Sequence, residues 1–458
     1  MTIKHFSGGK WSGDWEEHYQ RSLFFKDFWP INTVFIGDWL LPARPPLYNI
    51  LSAFFMEPAG DSFAYYQLIS VLLNSLVFFG AYAILMCFME ETDDYRTCLS
   101  VTILTVLFCL NPSIIQNITY PWTKSLTNFF ILSSFAFSFL AIRKKENNLH
   151  MASYGNMGIA LITHYSSGPY LLGLCLIDFS RILKKRLTIK AIVHRGLVLL
   201  LIMSSWFSFS LIHYGIKGTV GTNSTVAETS KLSLKDNVEK VYKNIVSSFV
   251  PYFIHYRIRW SLVHKIGFLR DYTFFAYQAN ILFMIGSTAW VAVLWSLISK
   301  LRKRFDEDVL IISVLSFILI TAIAVHGTYD KYGVAHICLQ PVAVLCVTFV
   351  AYNMIDYNIF LKIIIIIGVF IDAMFGVFSH FIIQNYGCNN AMPKTSDNQT
   401  IFMPNILDGI NDKISRGYTF LSDTEYASFI VFVLILSSAF IAYSIYKMYH
   451  QMFCTKAG

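Results

Sequence analysis

The residues best suited to chemistry lie near the start of the chain. Asp14-Trp15-Glu16-Glu17-His18-Tyr19 offers three carboxylates and an imidazole within six positions. A carboxylate held beside a membrane can act as a general base toward a hydroxyl. Asp14 stands between Trp11 and Trp15, whose rings would shield it from water and raise its pKa. For Glu16 and Glu17 the plainer reading is solvated charge on a loop helix. Two cations stand beside prolines and aromatic residues and could bind an anion. One is Arg44, in Pro42-Ala43-Arg44-Pro45-Pro46-Leu47-Tyr48; the other is Lys124, in Tyr120-Pro121-Trp122-Thr123-Lys124. Lys124 also has a plain alternative, a lysine snorkelling at a helix end. Arg257 and Arg259 are weaker candidates in a long loop. His164-Tyr165-Ser166-Ser167-Gly168-Pro169 sets a histidine in a polar turn between two short apolar runs. A lone histidine is more often structural, but these polar neighbours make it a site candidate. His336 closes a short segment, His326 to His336, that is either a plain turn or a polar contact for a ligand.

The elements that must position these residues follow from composition. The chain has 458 residues, 55% hydrophobic and only 14% charged, with net charge +8. Mean hydropathy is +0.51. Soluble proteins carry about 25% charged residues, so a soluble multidomain enzyme, a disordered chain and a disulfide scaffold are excluded. A polytopic, all-α membrane helical bundle remains. The 8 cysteines form no Cys-x-x-Cys pair, and most sit in apolar runs. No basic cluster with interleaved aromatics points to nucleic acid. Apolar runs long enough to cross a bilayer fall near 64–88, 98–117, 125–142, 190–214, 275–298, 308–326, 336–355, 359–379 and 427–449. The stretch 151–183 reads as two short or broken helices meeting at the His164 turn, giving about eleven crossings. Non-helical backbone at that depth survives only against protein or a water-filled cavity.

Basic residues fix the orientation. Arg143-Lys144-Lys145, Arg181 to Arg186 and Lys300 to Arg304 fall on one side, which is then cytoplasmic. The organisation expected is a first exoplasmic loop with surface helices at 1–63, transmembrane helices over 64–214, and an exoplasmic loop at 215–274. Further spans follow over 275–379, then an exoplasmic loop at 380–426 and a last span with a cytoplasmic tail at 427–458. An exported N-terminus with no preceding span is unusual, and a twelfth span upstream of Met1 is the favoured explanation. Pro45-Pro46 should open a surface helix over 47–57. Segment 231–245 reads as a short amphipathic helix, and 250–270 suits an interfacial one. Sequons at Asn117, Asn223 and Asn398 are explained by chance in a bacterial protein.

Asp14-x-x-x-x-Tyr19, then Gly37-Asp38-Trp39, then Arg44-Pro45-Pro46-Leu47-Tyr48 opening a surface helix resembles the first exoplasmic loop of the GT-C class of polytopic glycosyltransferases. Protein O-mannosyltransferases and lipid A aminoarabinose transferases belong to that class. The resemblance continues in Asn111-Pro112, in Tyr120 to Lys124 and in His164 to Pro169, and the order of spans and loops fits most of the chain. It implies a GT-C type fold. It also implies an enzyme that transfers a sugar from a polyprenyl-phosphate carrier to a glycan, lipid or protein acceptor. The active site would face the periplasm or exterior of a bacterial inner membrane, amid membrane lipids. Asp14 takes the place of the catalytic base. Glu17, His18, Tyr19, Arg44, Trp122, Lys124, His164, Tyr165, Arg257, Arg259 and His336 are the substrate-binding candidates. A divalent cation is a candidate cofactor, with Glu17 and His164 as its ligands. The sequence has no GxGxxG, Walker A or HExxH motif, and Asp14-Trp15-Glu16 is only a near-variant of Asp-x-Asp. That favours a lipid-phosphate donor over a nucleotide sugar. Two other functions fit less well. A transporter or flippase of lipid-linked saccharides should show symmetric broken helices, and no repeat is evident. A polysaccharide polymerase or ligase should concentrate cations in a late loop. The loop 380–426 has Lys394, Lys413 and Arg416 against five acids.

Overall fold

The computed structural model describes residues 14–36, 39–58, 60–89, 94–223, 232–255, 275–303, 306–325 and 338–383, with positions 226, 421, 424, 432 and 436. Among the described residues the fold is all-α; the one extended pairing is a bridge between Phe35 and Trp39.

Among the described residues two α-helices precede the first apolar stretch long enough to cross a membrane. Helix α1 covers Asp14–Lys26 and has Asp14, Glu16 and Glu17 in its first turn and Lys26 in its last. That polarity suits the helix dipole. Helix α2, Leu47–Met56, begins after Pro45-Pro46 where the sequence places a surface helix. Helices α3 (Phe63–Ser75) and α4 (Val77–Phe88) together make an apolar stretch of 26 residues. At about 1.5 Å per residue this crosses a hydrocarbon core roughly 30 Å thick.

The run 98–117 is not one straight span. It breaks into α5 (Asp94–Leu110) and α6 (Pro112–Thr119), bent by 70°. The cause is local. Pro112 cannot donate to the preceding turn, and the Asn111 side chain caps the new helix by accepting from the Ile114 amide at 3.1 Å. Helix α7, Lys124–Lys144, then crosses in one piece. It packs closely on α4, where a Cβ added to Gly80 would lie 3.1 Å from Leu132 Cβ.

The broken hairpin expected over 151–183 is present. Helix α8 (Asn147–Thr163) and helix α9 (Gly168–Leu183) meet at a single 3₁₀ turn, Tyr165–Ser167. Helix α10, Ile189–Gly221, is 33 residues long and broken at Gly215, whose φ of +65° suits only glycine. In its most apolar 18-residue stretch only 11% of the residues are fully buried, so much of this helix is left uncovered by the rest of the bundle. The amphipathic segment near 231–245 forms α11, Leu234–Phe249, opened by a capping box between Ser233 and Asp236.

The run 275–298 is also divided, into α12 (Ile281–Ile285) and α13 (Ala289–Lys303). Gly286 at φ +139° makes the break. Asp372 secures it: the carboxylate accepts from Tyr277 Oη at 2.6 Å and from the Ser287 amide at 3.1 Å. Helices α14 (Asp306–Val325), α15 (Gln340–Asn353) and α16 (Ile359–Gly376) complete the bundle. Among the described residues four helical stretches are long and apolar enough to cross a membrane, or five if the bent α5–α6 pair counts as one. Most of 250–270, 380–426 and 427–449 lies outside the described residues.

One apolar core joins α4, α5, α7, α9 and α12 to α16. A second, aromatic cluster of Trp15, Tyr19, Phe63, Tyr66, Tyr120 and Trp122 fastens α1 to the ends of α3 and α7. Polar side chains inside the bundle answer one another, as buried polar groups must. Gln340 donates to Asn117 at 2.7 Å and accepts from Asn128 at 3.1 Å. Asn117 is thus a core residue, and its sequon is not a surface feature.

Candidate functional site

At the α1 end of the bundle, the first turn of α1 and the loop leading to α2 form a clasp of charges. Arg21 Nε donates to Glu17 Oε1 at 2.9 Å, one helical turn away. Arg44 Nε donates to Glu17 Oε2, also at 2.9 Å, and Arg44 Nη2 to Asp14 Oδ1 at 3.0 Å. One carboxylate therefore binds two guanidiniums, and one guanidinium bridges two carboxylates.

The local sequence explains the geometry. Pro42 sits inside the 3₁₀ turn Leu41–Ala43, and Pro45 forces the preceding Arg44 into an extended conformation, φ −133° and ψ 141°. Arg21 anchors this loop from below by donating to the carbonyls of Leu41 at 2.8 Å and Leu40 at 3.1 Å. Its guanidinium also lies 4.4 Å from the Phe35 ring centroid. Arg44 is thus set by its own prolines and by the arginine beneath it.

Burial separates the members. The Glu17 side chain is 3% exposed and that of Arg21 0%, whereas Asp14 keeps 18% and Arg44 25%. Burial works to raise the Glu17 carboxyl, but Arg44 and Arg21 outweigh it and hold the group at about 2. His18 is pushed down to about 3, first by burial and then by the Arg44 charge. It is neutral, with Nδ1–H donating to Asn49 Oδ1 at 3.1 Å. Burial pulls Arg44 down, yet Glu17 and Asp14 together raise it above the ordinary guanidinium value. The expectation of solvated charge at Glu16 and Glu17 is corrected: both are buried, at 6% and 3%. Trp15 does pack inward, its ring 4.8 Å from Phe63, but the carboxylate most shielded from water is Glu17.

The other sequence candidates fall into three groups. Lys124 and Tyr165 join the clasp. Lys124 is buried at the start of α7 with its ammonium 3.5 Å from the Trp122 ring centroid, and Asp14 and Arg44 are the charged side chains that act on it. Tyr165 Oη donates to the Pro42 carbonyl at 3.3 Å and accepts from Trp206 Nε1 at 3.2 Å, so the hairpin turn holds the loop that carries Arg44. A second group supports the site without facing it. Tyr19 donates to the Asp61 carbonyl and packs on Phe63 and Tyr66. Trp122 is fully buried against Tyr120, at 4.1 Å, and offers a sugar no exposed face. His164 caps the hairpin turn: its Nδ1 accepts from the Ser166 amide at 3.1 Å and from Ser166 Oγ at 2.8 Å. Arg257, Arg259 and His336 lie outside the described residues, as do Trp11 and Asp38.

Glu17 and His164 do not suit a divalent cation. Each Glu17 oxygen already meets a guanidinium, so a dication there would face Arg21 and Arg44 at close range. Among the described residues no three His, Cys, Asp or Glu side chains come together as a metal site. Arg21 is the member that sequence reading missed. Its signal was available in the i, i+4 spacing from Glu17.

No family model matches the chain, and no curated protein matches it. Two solved structures resemble its fold, both of ArnT from Cupriavidus metallidurans. The apo structure has 12% sequence identity and a TM-score of 0.47, and the structure bound to undecaprenyl phosphate has 13% and 0.48. Each match covers 78% of this chain and 57% of the ArnT chain.

Proposed function

We propose that the protein is a membrane glycosyltransferase that moves a sugar from a polyprenyl-phosphate carrier to an acceptor hydroxyl on the exoplasmic face. The observation that carries this reading is the Asp14–Arg44–Glu17 clasp beside Lys124. It sets a partly exposed carboxylate against a guanidinium, near a buried lysine, at one end of an apolar bundle. The order of motifs in the first loop, which resembles that of GT-C enzymes, points the same way.

The roles follow from the geometry. Asp14 binds Arg44 through Oδ1, and Oδ2 has no hydrogen bond among the described residues. Oδ2 would take the proton of the acceptor hydroxyl. The acceptor oxygen then forms its bond to the anomeric carbon as the bond from that carbon to the phosphate oxygen breaks. The electron pair leaves with the polyprenyl phosphate. Charge grows on that leaving group, and Arg44 is the cation placed to hold it, with Lys124 as a further nitrogen donor. A phosphate on Arg44 competes with Asp14 for the guanidinium. Donor binding therefore loosens the pair and leaves Asp14 the stronger base. Glu17 is a positioning residue: it keeps Arg44 in place while Asp14 is released.

The test is release of free polyprenyl phosphate from a polyprenyl-phosphate hexose by purified protein in detergent. Asp14→Asn should abolish release while melting as the parent does, and Arg44→Ala should weaken donor binding. Parental turnover in Asp14→Asn would sink Asp14 as base. Unchanged donor affinity in Arg44→Ala would remove the phosphate role.

A further inference from the structure

Away from the clasp, at the other end of α7 and α8, the bundle encloses a cavity of about 1540 Å³. Ligand pockets commonly measure about 300–1,000 Å³, so this one is sized for more than a small metabolite. Its depth is apolar, lined by Ile131, Phe135, Val314, Ile318 and Leu345 among others. Its mouth is basic. Among the described lining residues are eight lysines and arginines against one carboxylate, Glu146.

One of those arginines is built in rather than left at the surface. Arg195 is 1% exposed and lines the cavity. Its Nη1 donates to Asp178 Oδ2 at 2.6 Å, and Tyr154 Oη donates to the same oxygen at 2.9 Å. Its Nε has no hydrogen-bond partner among the described residues. An unanswered guanidinium N–H in a buried place costs free energy unless an acceptor reaches it. Beside it Arg181 donates to His150 Nε2 at 2.7 Å and stands 3.9 Å from Asp178, which Arg195 already holds. The pair of arginines therefore carries more positive charge than the single Asp178 cancels.

We infer that this cavity is a binding site for an anionic phospholipid. The phosphate sits among Arg181, Arg195 and Lys184, and the acyl chains fill the apolar depth. The charge pattern separates this occupant from a free phosphate or a neutral lipid. A free phosphate would leave the apolar depth empty, and a neutral lipid would leave the excess cations unmatched. Basic pockets between membrane helices are a known way of holding anionic headgroups. The poorly buried face of α10 gives a lipid a way in from the bilayer. The site is separate from the clasp and does not depend on the transfer reaction.

The experiment uses the full chain in nanodiscs of phosphatidylcholine containing one-tenth phosphatidylglycerol. Lipids retained after extraction into mild detergent are counted by native mass spectrometry. The parent should keep phosphatidylglycerol far above its share of the bilayer. Lys184→Gln with Lys190→Gln removes two exposed lining cations and should lower that retention by about thirtyfold, at roughly fivefold per charge. Ala191→Trp keeps every charge but puts a bulky ring among the lining residues one turn from Arg195, and should also lower retention. Equal retention of the two lipids would overturn the inference, as would an unaffected Ala191→Trp variant. Displacement of the lipid by millimolar inorganic phosphate would overturn it in favour of a free anion.

Discussion

The bundle carries two arginine–carboxylate clusters, joined by the roughly 30 Å length of α7, and they differ in what the carboxylate is left free to do. At the α1 end, Glu17 neutralises Arg21 and shares Arg44 with Asp14, which stays 18% exposed with one oxygen engaged among the described residues. At the other end, Asp178 is 5% exposed and is spent on Arg195 and Tyr154. The first cluster has a carboxylate in reserve, and the second has a cation in reserve. A spare carboxylate suits proton transfer, and a spare guanidinium suits an anion. The ends differ less in their ion pairs, three against two, than in the uncommitted atom.

The largest effect should come from removing the reserve carboxylate. Asp14→Asn keeps the shape and the Arg44 contact but cannot accept a proton. Turnover should fall by about 10²–10⁴-fold, the usual contribution of a general base, with no matching loss of thermal stability. A variant that unfolds instead would show that Asp14 is structural like Asp178, and the contrast would collapse.

The complementary change is Asp178→Ala, which strands Arg195 in the interior. It should cost about 3–5 kcal/mol of stability, read by thermal unfolding in detergent. Replacing both partners with apolar side chains, Asp178→Leu with Arg195→Met, should recover most of that loss, because the desolvation cost leaves with the charges. The equivalent apolar pair at Asp14 and Arg44 should leave a folded protein without activity. Recovered activity there would mean that the two clusters do the same work.

The sequence made the first cluster more legible than the second, for a physical reason. Asp14, Arg44 and Lys124 lie beside prolines, tryptophans and helix starts, where local chemistry marks a position. The bent α5–α6 pair could have been foreseen from Asn111-Pro112, and the α12–α13 break from Gly286. The burial of Glu17 could not, because it depends on Arg21 and on a loop more than twenty residues away. Asp178 and Arg195 each sit in an unremarkable helix. What makes them a pair is the packing of α8, α9 and α10, which no local pattern encodes. Asp372 had a visible signal as a mid-span carboxylate, and it proves to hold the Gly286 break.

Acid acts on the first cluster through two buried groups. His18 is neutral in the fold at about 3 against 6.5 when free, and Glu17 is ionised at about 2 against 4.5. Both folded values are depressed, so the unfolded chain binds more protons as pH falls. Stability from His18 is complete above about 6.5 and is lost toward 3; stability from Glu17 is complete above 4.5 and is lost toward 2. Acid unfolding should therefore begin below pH 6.5 and steepen below 4.5. His18→Gln, which can still donate to Asn49, should make the upper limb shallower and leave the lower one unchanged. A melting temperature that is level from pH 6.5 to 4.5 in the parent would contradict the burial of His18.

The smallest effect belongs to a pair that shares the chemistry of both clusters but not their burial. Lys243 and Glu239 lie one turn apart on α11, 3.0 Å from each other, with side chains 43% and 41% exposed. Water already solvates both ions, so the pair gains little Coulomb energy and costs side-chain entropy. Exposed helical pairs contribute about 0.3–0.5 kcal/mol. Lys243→Ala should shift the melting temperature barely above measurement error, and 0.5 M salt should abolish what remains. The same salt should leave Asp178–Arg195 intact, because ions cannot screen a contact from which water is excluded. A shift at Lys243 as large as that at Asp178 would mean that ion pairing alone sets the energy. A small shift leaves burial as the difference between a pair that decorates the fold and one that holds it.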